Sequence, residues 1–98
     1  MSGHVFHPGH SELHGITVVV ETADQVMYVG RYHEETGEGL LLHDVAEHRE
    51  SAGAPSRSEF VQRTLKFGVQ AAHRHLVVPA ATVRRVTRLV EWQGPGSR

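Results

Sequence analysis

The chain has 98 residues, 39% of them hydrophobic and 21% charged, a composition typical of a single globular domain. The formal net charge of −1 at pH 7 does not by itself favour nucleic acid or a membrane as a partner. The lack of cysteine excludes disulfides and thiolate metal sites and indicates a reducing, cytoplasmic setting. No apolar run approaches the roughly 20 residues of a membrane span, and the first residues lack the pattern of a secretion signal.

The charges are unevenly distributed along the chain. Residues 1–50 hold nine acids and two arginines, whereas residues 51–98 hold eight bases and two acids. Two halves of opposite sign can pair their own strands, or they can pair with copies of the same chain.

Both ends of the chain have the composition of loops. Residues 1–14 contain two glycines, one proline and four histidines, which predicts a flexible histidine-rich segment with at most one helical turn over Ser11–His14. The Pro8-Gly9 step would break a helix that aligned these histidines, so we do not expect a specific metal site there. Residues 93–98 are predicted to be disordered, which leaves residues 15–92 as one domain.

The spacing of apolar residues predicts strands separated by turns in the first half of this domain. The predicted strands are Ile16–Glu21, Val26–His33 and Leu40–Val45, the last with an extension to Arg49. In the first strand Val18 and Val20 share one face, and Val19 on the other face predicts that neither face is fully solvated. Gly30, in the middle of the second strand, predicts a sharp bend or a close approach of another backbone.

The middle of the chain supports two interpretations. Residues 51–58 have loop composition, and residues 60–75 fit either a strand or a helix. The sequence Ser56-x-x-Glu59 resembles a helix capping box, whereas the β-branched and aromatic residues that follow favour a strand. We predict a strand over Glu59–Phe67 and leave the link to the next strand unassigned.

The last part of the domain reads as a hairpin with a proline corner. We predict a strand over Leu76–Val78, a tight corner over Pro79–Ala81 and a strand over Thr82–Val90, because proline cannot donate to a strand ladder. The apolar residues of the last strand do not keep one period, which predicts a bulge near Arg84-Arg85. The predicted fold is therefore mainly β: a strongly bent, five-stranded antiparallel sheet that forms a small barrel.

Basic and aromatic residues suggest an RNA-binding surface. Arg84, Arg85 and Arg88 form the densest basic cluster, which Arg74 joins if the corner brings the two strands together, and such clusters bind phosphate. Tyr32 could stack on a base, although aromatic residues on strands are more often part of a core or an interface. The balanced net charge favours the alternative, in which the arginines form salt bridges with acids of a neighbouring strand or subunit.

Histidines also suggest a metal site. His73 and His75 share one face of an extended segment, a spacing that can chelate Zn²⁺ or another divalent metal. A third ligand would have to come from His43, or from His33 or His48. A polar strand face is the commoner explanation of such residues. The sequence has no motif that pairs a nucleophile with a base, no P-loop and no dinucleotide loop, so we predict a protein that is not an enzyme.

Two stretches of the chain resemble the motifs of the Sm/LSm family of ring-forming proteins. The first family motif joins an alternating apolar strand, a turn, a strand with an internal glycine and a leucine-rich strand. Here its parts are Val18-x-Val20, Asp24-Gln25, Gly30-Arg31-Tyr32 and Gly39-Leu40-Leu41-Leu42. The second motif is a short strand, a corner and a return strand, and its apolar spacing matches that of residues 78–86.

The resemblance implies a small barrel that assembles into a homo-oligomeric ring and binds single-stranded RNA. In such a ring the edge strands Leu40–Val45 and Thr82–Val90 of adjacent subunits would pair. The interface residues would be Leu40, Leu42, Val83 and Val86.

The residues of the family's RNA pocket differ in this chain. Thr36 and Gly39 lie where the family has an Asp and an Asn, and Pro79-Ala80 replaces an Arg-Gly at the corner. Two other functions therefore stay open beside RNA binding: an oligomeric scaffold without nucleic acid, and a histidine-rich metal-binding module.

Overall fold

The computed structural model describes residues 13–92, which form five β-strands, one α-helix and short 3₁₀ turns. In chain order the elements are β1 (Thr17–Thr22), β2 (Val26–Thr36), β3 (Gly39–Arg49), α1 (Arg57–Phe67), β4 (His73–Pro79), a 3₁₀ turn (Ala80–Thr82), β5 (Val83–Arg88) and a 3₁₀ turn (Leu89–Glu91). The predicted mainly β fold is confirmed. Within the described range, no helix combines the length and the apolar character that a membrane crossing requires.

The five strands form one antiparallel sheet in the order β4-β3-β2-β1-β5. β5 pairs with β1, so the end of the domain lies beside its beginning. The edges of the sheet are β4 and β5, and β3 is an interior strand. The prediction that Leu40–Val45 is an edge strand is therefore wrong. Leu40 and Leu42, predicted to contact another subunit, have no exposed surface and lie in the core of their own chain.

The first core lies on the concave face of the sheet and takes side chains from all five strands. Its buried members are Val18, Val20, Tyr32, Leu40, Leu42, Val45 and Val78. Val83 and Val86 of β5, also predicted to contact another subunit, are partly buried and pack against the same cluster. Because side chains of both edge strands reach this one core, the sheet is curled around it, as predicted for a small barrel.

The second core lies on the opposite face of the sheet, beneath α1. Val19, Met27 and Val29 of the sheet pack there with Val61 of α1 and with Leu89. All three consecutive valines of β1 have no exposed surface. This confirms the prediction, based on Val19, that neither face of β1 is open to water.

Residues 57–67 form a helix, which corrects the predicted strand over Glu59–Phe67. Ser56 begins the helix, because its hydroxyl accepts a hydrogen bond from the N–H of Glu59 at 3.0 Å. Gly68 ends it with a φ of +89°, a conformation that glycine adopts without steric strain. The capping pattern at the start of this segment therefore indicates its structure correctly, whereas the strand propensity of the residues that follow does not.

The aromatic and β-branched residues of this segment do not act as strand residues. Only Val61 and Thr64 of α1 are buried, and Phe67 is 67% exposed. The helix needs only a narrow apolar stripe to cover the sheet, so the β-propensity of its other residues does not determine its structure.

Two irregularities bend the sheet at predicted positions. The pairing of β2 with β3 shifts register across Gly30 and again between Tyr32 and Glu34. A Cβ at Gly30 would lie 2.9 Å from Cγ2 of Val45 and 3.1 Å from the carbonyl oxygen of His43. The pairing of β1 with β5 shifts between Glu21 and Thr22, which leaves Arg84 as the extra residue of a bulge. Both the close approach at Gly30 and the bulge near Arg84-Arg85 are confirmed.

We expect Gly30→Ala to lower the free energy of unfolding by about 1–3 kcal/mol, because the new methyl group would press on β3. Gly37→Ala is the matched control, since a Cβ at Gly37 would meet no atom within 4 Å. Urea unfolding of the two variants and the parent chain measures the difference. Equal stability of the two variants would contradict the assigned role of Gly30.

Candidate functional site

Four histidines lie side by side across the sheet, and we call them the histidine row. The ring of His43 on β3 lies between His33 of β2 and His75 of β4, with centroid separations of 4.5 and 4.6 Å. His14, which precedes β1, extends the row at 5.0 Å from His33. Strand register explains the contact between His43 and His75, because the two residues are direct partners in the pairing of β3 with β4.

A shallow depression of about 220 Å³ lies at this row and is lined by Arg31, His43, Asp44, Arg74 and His75. We call it the Arg/His depression. The Arg31 guanidinium forms an ion pair with the Asp44 carboxylate, and both side chains are half exposed. Asp44 has a φ of +52°, a left-handed conformation that Asp tolerates better than most residues. In the pairing of β2 with β3, Val29 pairs with Ala46 and Arg31 with His43, so Asp44 lies in the irregular stretch of β3 opposite Gly30. The pairing of β3 with β4 keeps one register through this stretch.

The charges of the Arg/His depression do not balance. The hydrogen bond from Arg31 lowers the pKa of Asp44 below its ordinary value, so this carboxylate and this guanidinium neutralise each other. Arg74 is exposed and has no ion-pair partner in the described part of the chain. Partial loss of hydration, followed by the positive charges of His33, His75 and Arg31, lowers the pKa of His43. Protonation of His43 therefore adds a positive charge beside positive charges already present.

The predicted metal site is not assembled in this arrangement. His43 and His75 are in contact, but Nε2 of His73 lies 2.9 Å from the Glu47 carboxylate, and this hydrogen bond lowers the pKa of Glu47. Between residues 13 and 92, no group of three His, Asp or Glu side chains is placed to hold a metal ion. The remaining histidines of the N-terminal segment lie outside the described residues.

The three arginines of β5 have different environments. Arg85 lies 3.9 Å from Glu21 of the neighbouring β1, which is the salt bridge that the alternative interpretation predicts. Arg84 and Arg88 are exposed, and neither forms an ion pair with another residue of the described range. Arg74 lies on β4, at the other end of the strand order, so the sheet separates it from this cluster.

Tyr32, predicted to stack on a base, is 1% exposed and belongs to the concave core. Its burial, with a smaller effect of the Glu35 charge, raises the pKa of its phenol. The side chain is therefore not available to an RNA base at the surface.

A groove of about 380 Å³ separates α1 from the sheet, and the sequence analysis did not predict it. Its lining includes Ala46 of β3, Phe60, Thr64 and Phe67 of α1, and Ala72 before β4. The groove exists because α1 crosses this end of the sheet. A strand over the same segment, as the sequence predicts, would form no such groove.

We expect the free energy of unfolding to decrease as the pH is lowered from about 7.5 to 5.5. The folded-state pKa of His43 lies below its unfolded value of about 6.5. The unfolded chain therefore binds protons first, and stability is lost as the pH falls below that value. Asp44 contributes only at lower pH, because its pKa is lowered from 3.8. His43→Gln should reduce the pH dependence, measured by urea unfolding across this range.

His73→Gln is the control for that measurement, because His73 contacts Glu47 rather than other histidines. If His43→Gln and the parent chain lose the same stability between the two pH values, the unfavourable interactions assigned to His43 are incorrect.

Comparison with known proteins shows a similarity of fold to solved structures. No family model matches the chain, and no curated protein matches it in sequence. Among solved structures, a chain in the crystal structure of the NatC complex bound to CoA has a TM-score of 0.54 and 17% sequence identity. The match covers 85% of this chain and 87% of that chain, so the two chains have similar lengths. At this identity the similarity concerns the fold alone.

Proposed function

We propose that this protein is a non-catalytic assembly module, an Sm-like subunit that associates with copies of itself through the edges of its curled sheet. The observation that carries the proposal is the strand order. β4 and β5 are its two ends, and within residues 13–92 no strand pairs with the outer side of either. Unpaired edges present N–H and C=O groups that readily pair with another chain. Pairing β4 of one subunit with β5 of the next is a head-to-tail contact that can close into a ring.

The surface of the chain is compatible with such contacts. Val77 lies on the β4 edge strand and is 37% exposed. The net charge of −1 imposes little repulsion between copies. The exposed groups of β4 and β5 are therefore available for association without a large electrostatic cost.

The comparison with solved structures supports the same kind of role. The similar chain belongs to the NatC complex, so a chain with this fold and about this length occurs there within a multiprotein assembly. The lack of cysteine supports a cytoplasmic location for the module.

Val77→Lys should convert the assembly into single subunits. A lysine on the β4 edge opposes pairing with another strand, and it would approach the arginines of β5 in the next subunit. Size-exclusion chromatography with light scattering should give a multiple of 10.9 kDa for the parent chain and 10.9 kDa for the variant.

Val90→Lys is the matched control, because Val90 is 80% exposed and lies outside the strands. It should leave the mass of the assembly unchanged. A parent chain that remains a monomer at micromolar concentration would exclude the proposed assembly.

Single-stranded RNA binding is a second candidate function, and one observation favours it. Arg84 and Arg88 expose two guanidinium groups that no carboxylate of the described residues neutralises. Arginines of this kind contact phosphate groups of nucleic acids. Glu34 and Glu38 are exposed at the turn between β2 and β3, so β5 offers the more favourable surface for RNA.

We expect Arg84→Glu combined with Arg88→Glu to abolish a salt-dependent rise in the fluorescence anisotropy of labelled oligouridine. Each lost phosphate contact should reduce the slope of the logarithm of affinity against the logarithm of salt concentration by about one. Arg63→Glu on α1 is a control with the same change of residue type at an exposed position. A parent chain that gives no anisotropy change at low salt does not bind this RNA, and the scaffold function then stands alone.

A further inference from the structure

We propose that the Arg/His depression binds the phosphoryl group of a small phosphorylated molecule, and that it does so more tightly at acidic than at neutral pH. All the residues that line the depression come from one chain, so the site is complete in a single subunit, although Arg74 and His75 lie on the β4 edge that the proposed assembly uses. It is also separate from the RNA candidate, which uses β5 at the other end of the strand order.

The first argument is the arrangement of charge. Asp44 is the only carboxylate that lines the depression, and it forms an ion pair with Arg31. Arg74 is exposed beside this pair and forms no ion pair of its own in the described range, although its charge, after that of Arg31, also lowers the pKa of Asp44. Two guanidinium groups thus share one carboxylate, which leaves an excess of positive charge. A guanidinium group presents several N–H donors in a geometry that matches phosphate oxygens. The depression therefore offers an anion one unpaired guanidinium and the imidazoles of His43 and His75.

The second argument is the size and shape of the site. A volume of about 220 Å³ is smaller than the roughly 300–1,000 Å³ of pockets that enclose a drug-sized ligand. The depression is also open to solvent, so it can take a terminal phosphoryl group while the rest of the ligand stays outside. A phosphate monoester or a diphosphate carries more negative charge per phosphorus than the diester of an RNA backbone, and it suits a site whose cations are concentrated at one point.

The third argument is the contact between the imidazoles. The groups that face the depression and the row are His14 before β1, Arg31 and His33 of β2, His43 and Asp44 of β3, and Arg74 and His75 of β4. Protonating adjacent rings at centroid distances of 4.5 to 4.6 Å brings like charges together. A bound phosphoryl anion, whether singly or doubly charged, reduces this repulsion, so anion binding promotes proton uptake by the row. By linkage, proton uptake strengthens anion binding to the same degree.

Titration of the full chain with pyrophosphate tests the proposal, with binding followed by calorimetry at pH 5.5 and pH 8. We expect saturable binding at pH 5.5 that is weaker by roughly tenfold or more at pH 8, as loss of a charge-assisted hydrogen bond implies. Arg74→Ala combined with His75→Gln should abolish the binding. Both residues are exposed, so these substitutions do not remove core contacts, and circular dichroism checks that the fold is retained. Arg63→Ala on α1 is the control for loss of one exposed arginine.

The outcomes distinguish the site from general attraction to cations. Loss of binding in the Arg74/His75 variant together with unchanged binding in Arg63→Ala supports the site. Equal binding by the Arg74/His75 variant, equal affinity at the two pH values, or no saturable binding at pH 5.5 overturns the proposal. In a separate arm, a short single-stranded oligonucleotide is added to the pyrophosphate complex. Displacement at equal phosphate concentration would assign the depression to a polymer backbone and overturn the small-molecule assignment.

Discussion

The burial of β1 on both of its faces is the constraint on which the rest of the structure depends. Val18, Val19 and Val20 are consecutive and have no exposed surface, although alternate residues of a strand point to opposite sides. Full burial of one valine side chain contributes about 1.5–3 kcal/mol, so leaving either face in water would be costly for a domain of this size. The sheet meets the requirement by curling around one face, and α1 with the last 3₁₀ turn covers the other.

The same curvature produces the Arg/His depression. Gly30 lets β3 approach β2 closely, and β3 accommodates the change of register by placing Asp44 in a left-handed conformation. That conformation brings the Asp44 carboxylate to Arg31. The pairing of β3 with β4 then sets His43 against His75. A local backbone distortion thus groups polar side chains from three strands, and the apolar core is not interrupted.

The sequence predicted the strands and their distortions well, and it predicted the site poorly, for physical reasons that can be named. Alternating valines, the mid-strand Gly30 and the corner at Pro79 are local signals, and the strands, the bend and the turn follow from them. The helical segment is predicted as a strand because its β-branched and aromatic residues favour a strand, whereas the helical signal is confined to the cap at Ser56. The row of His33, His43 and His75 depends on the register between strands that are far apart in sequence, and residue spacing does not determine that register. Residue spacing also leaves open whether Tyr32 stacks on a base or lies in a core, and the closure of the sheet places it in the core.

The contact between Glu21 and Trp92 has a consequence for how the domain is made. The indole N–H of Trp92 donates to the Glu21 carboxylate across 71 positions of sequence, and β5 lies against β1 just before it. During translation, β5 emerges from the ribosome only after almost the entire domain. Until then β1 can pair with β2 but not with β5. Such non-local closure slows folding and leaves an apolar strand transiently exposed to other nascent chains. The final ten residues of the described range, which add Val83, Val86 and Leu89 to the two cores, thus determine when the exposed apolar surface of β1 is covered.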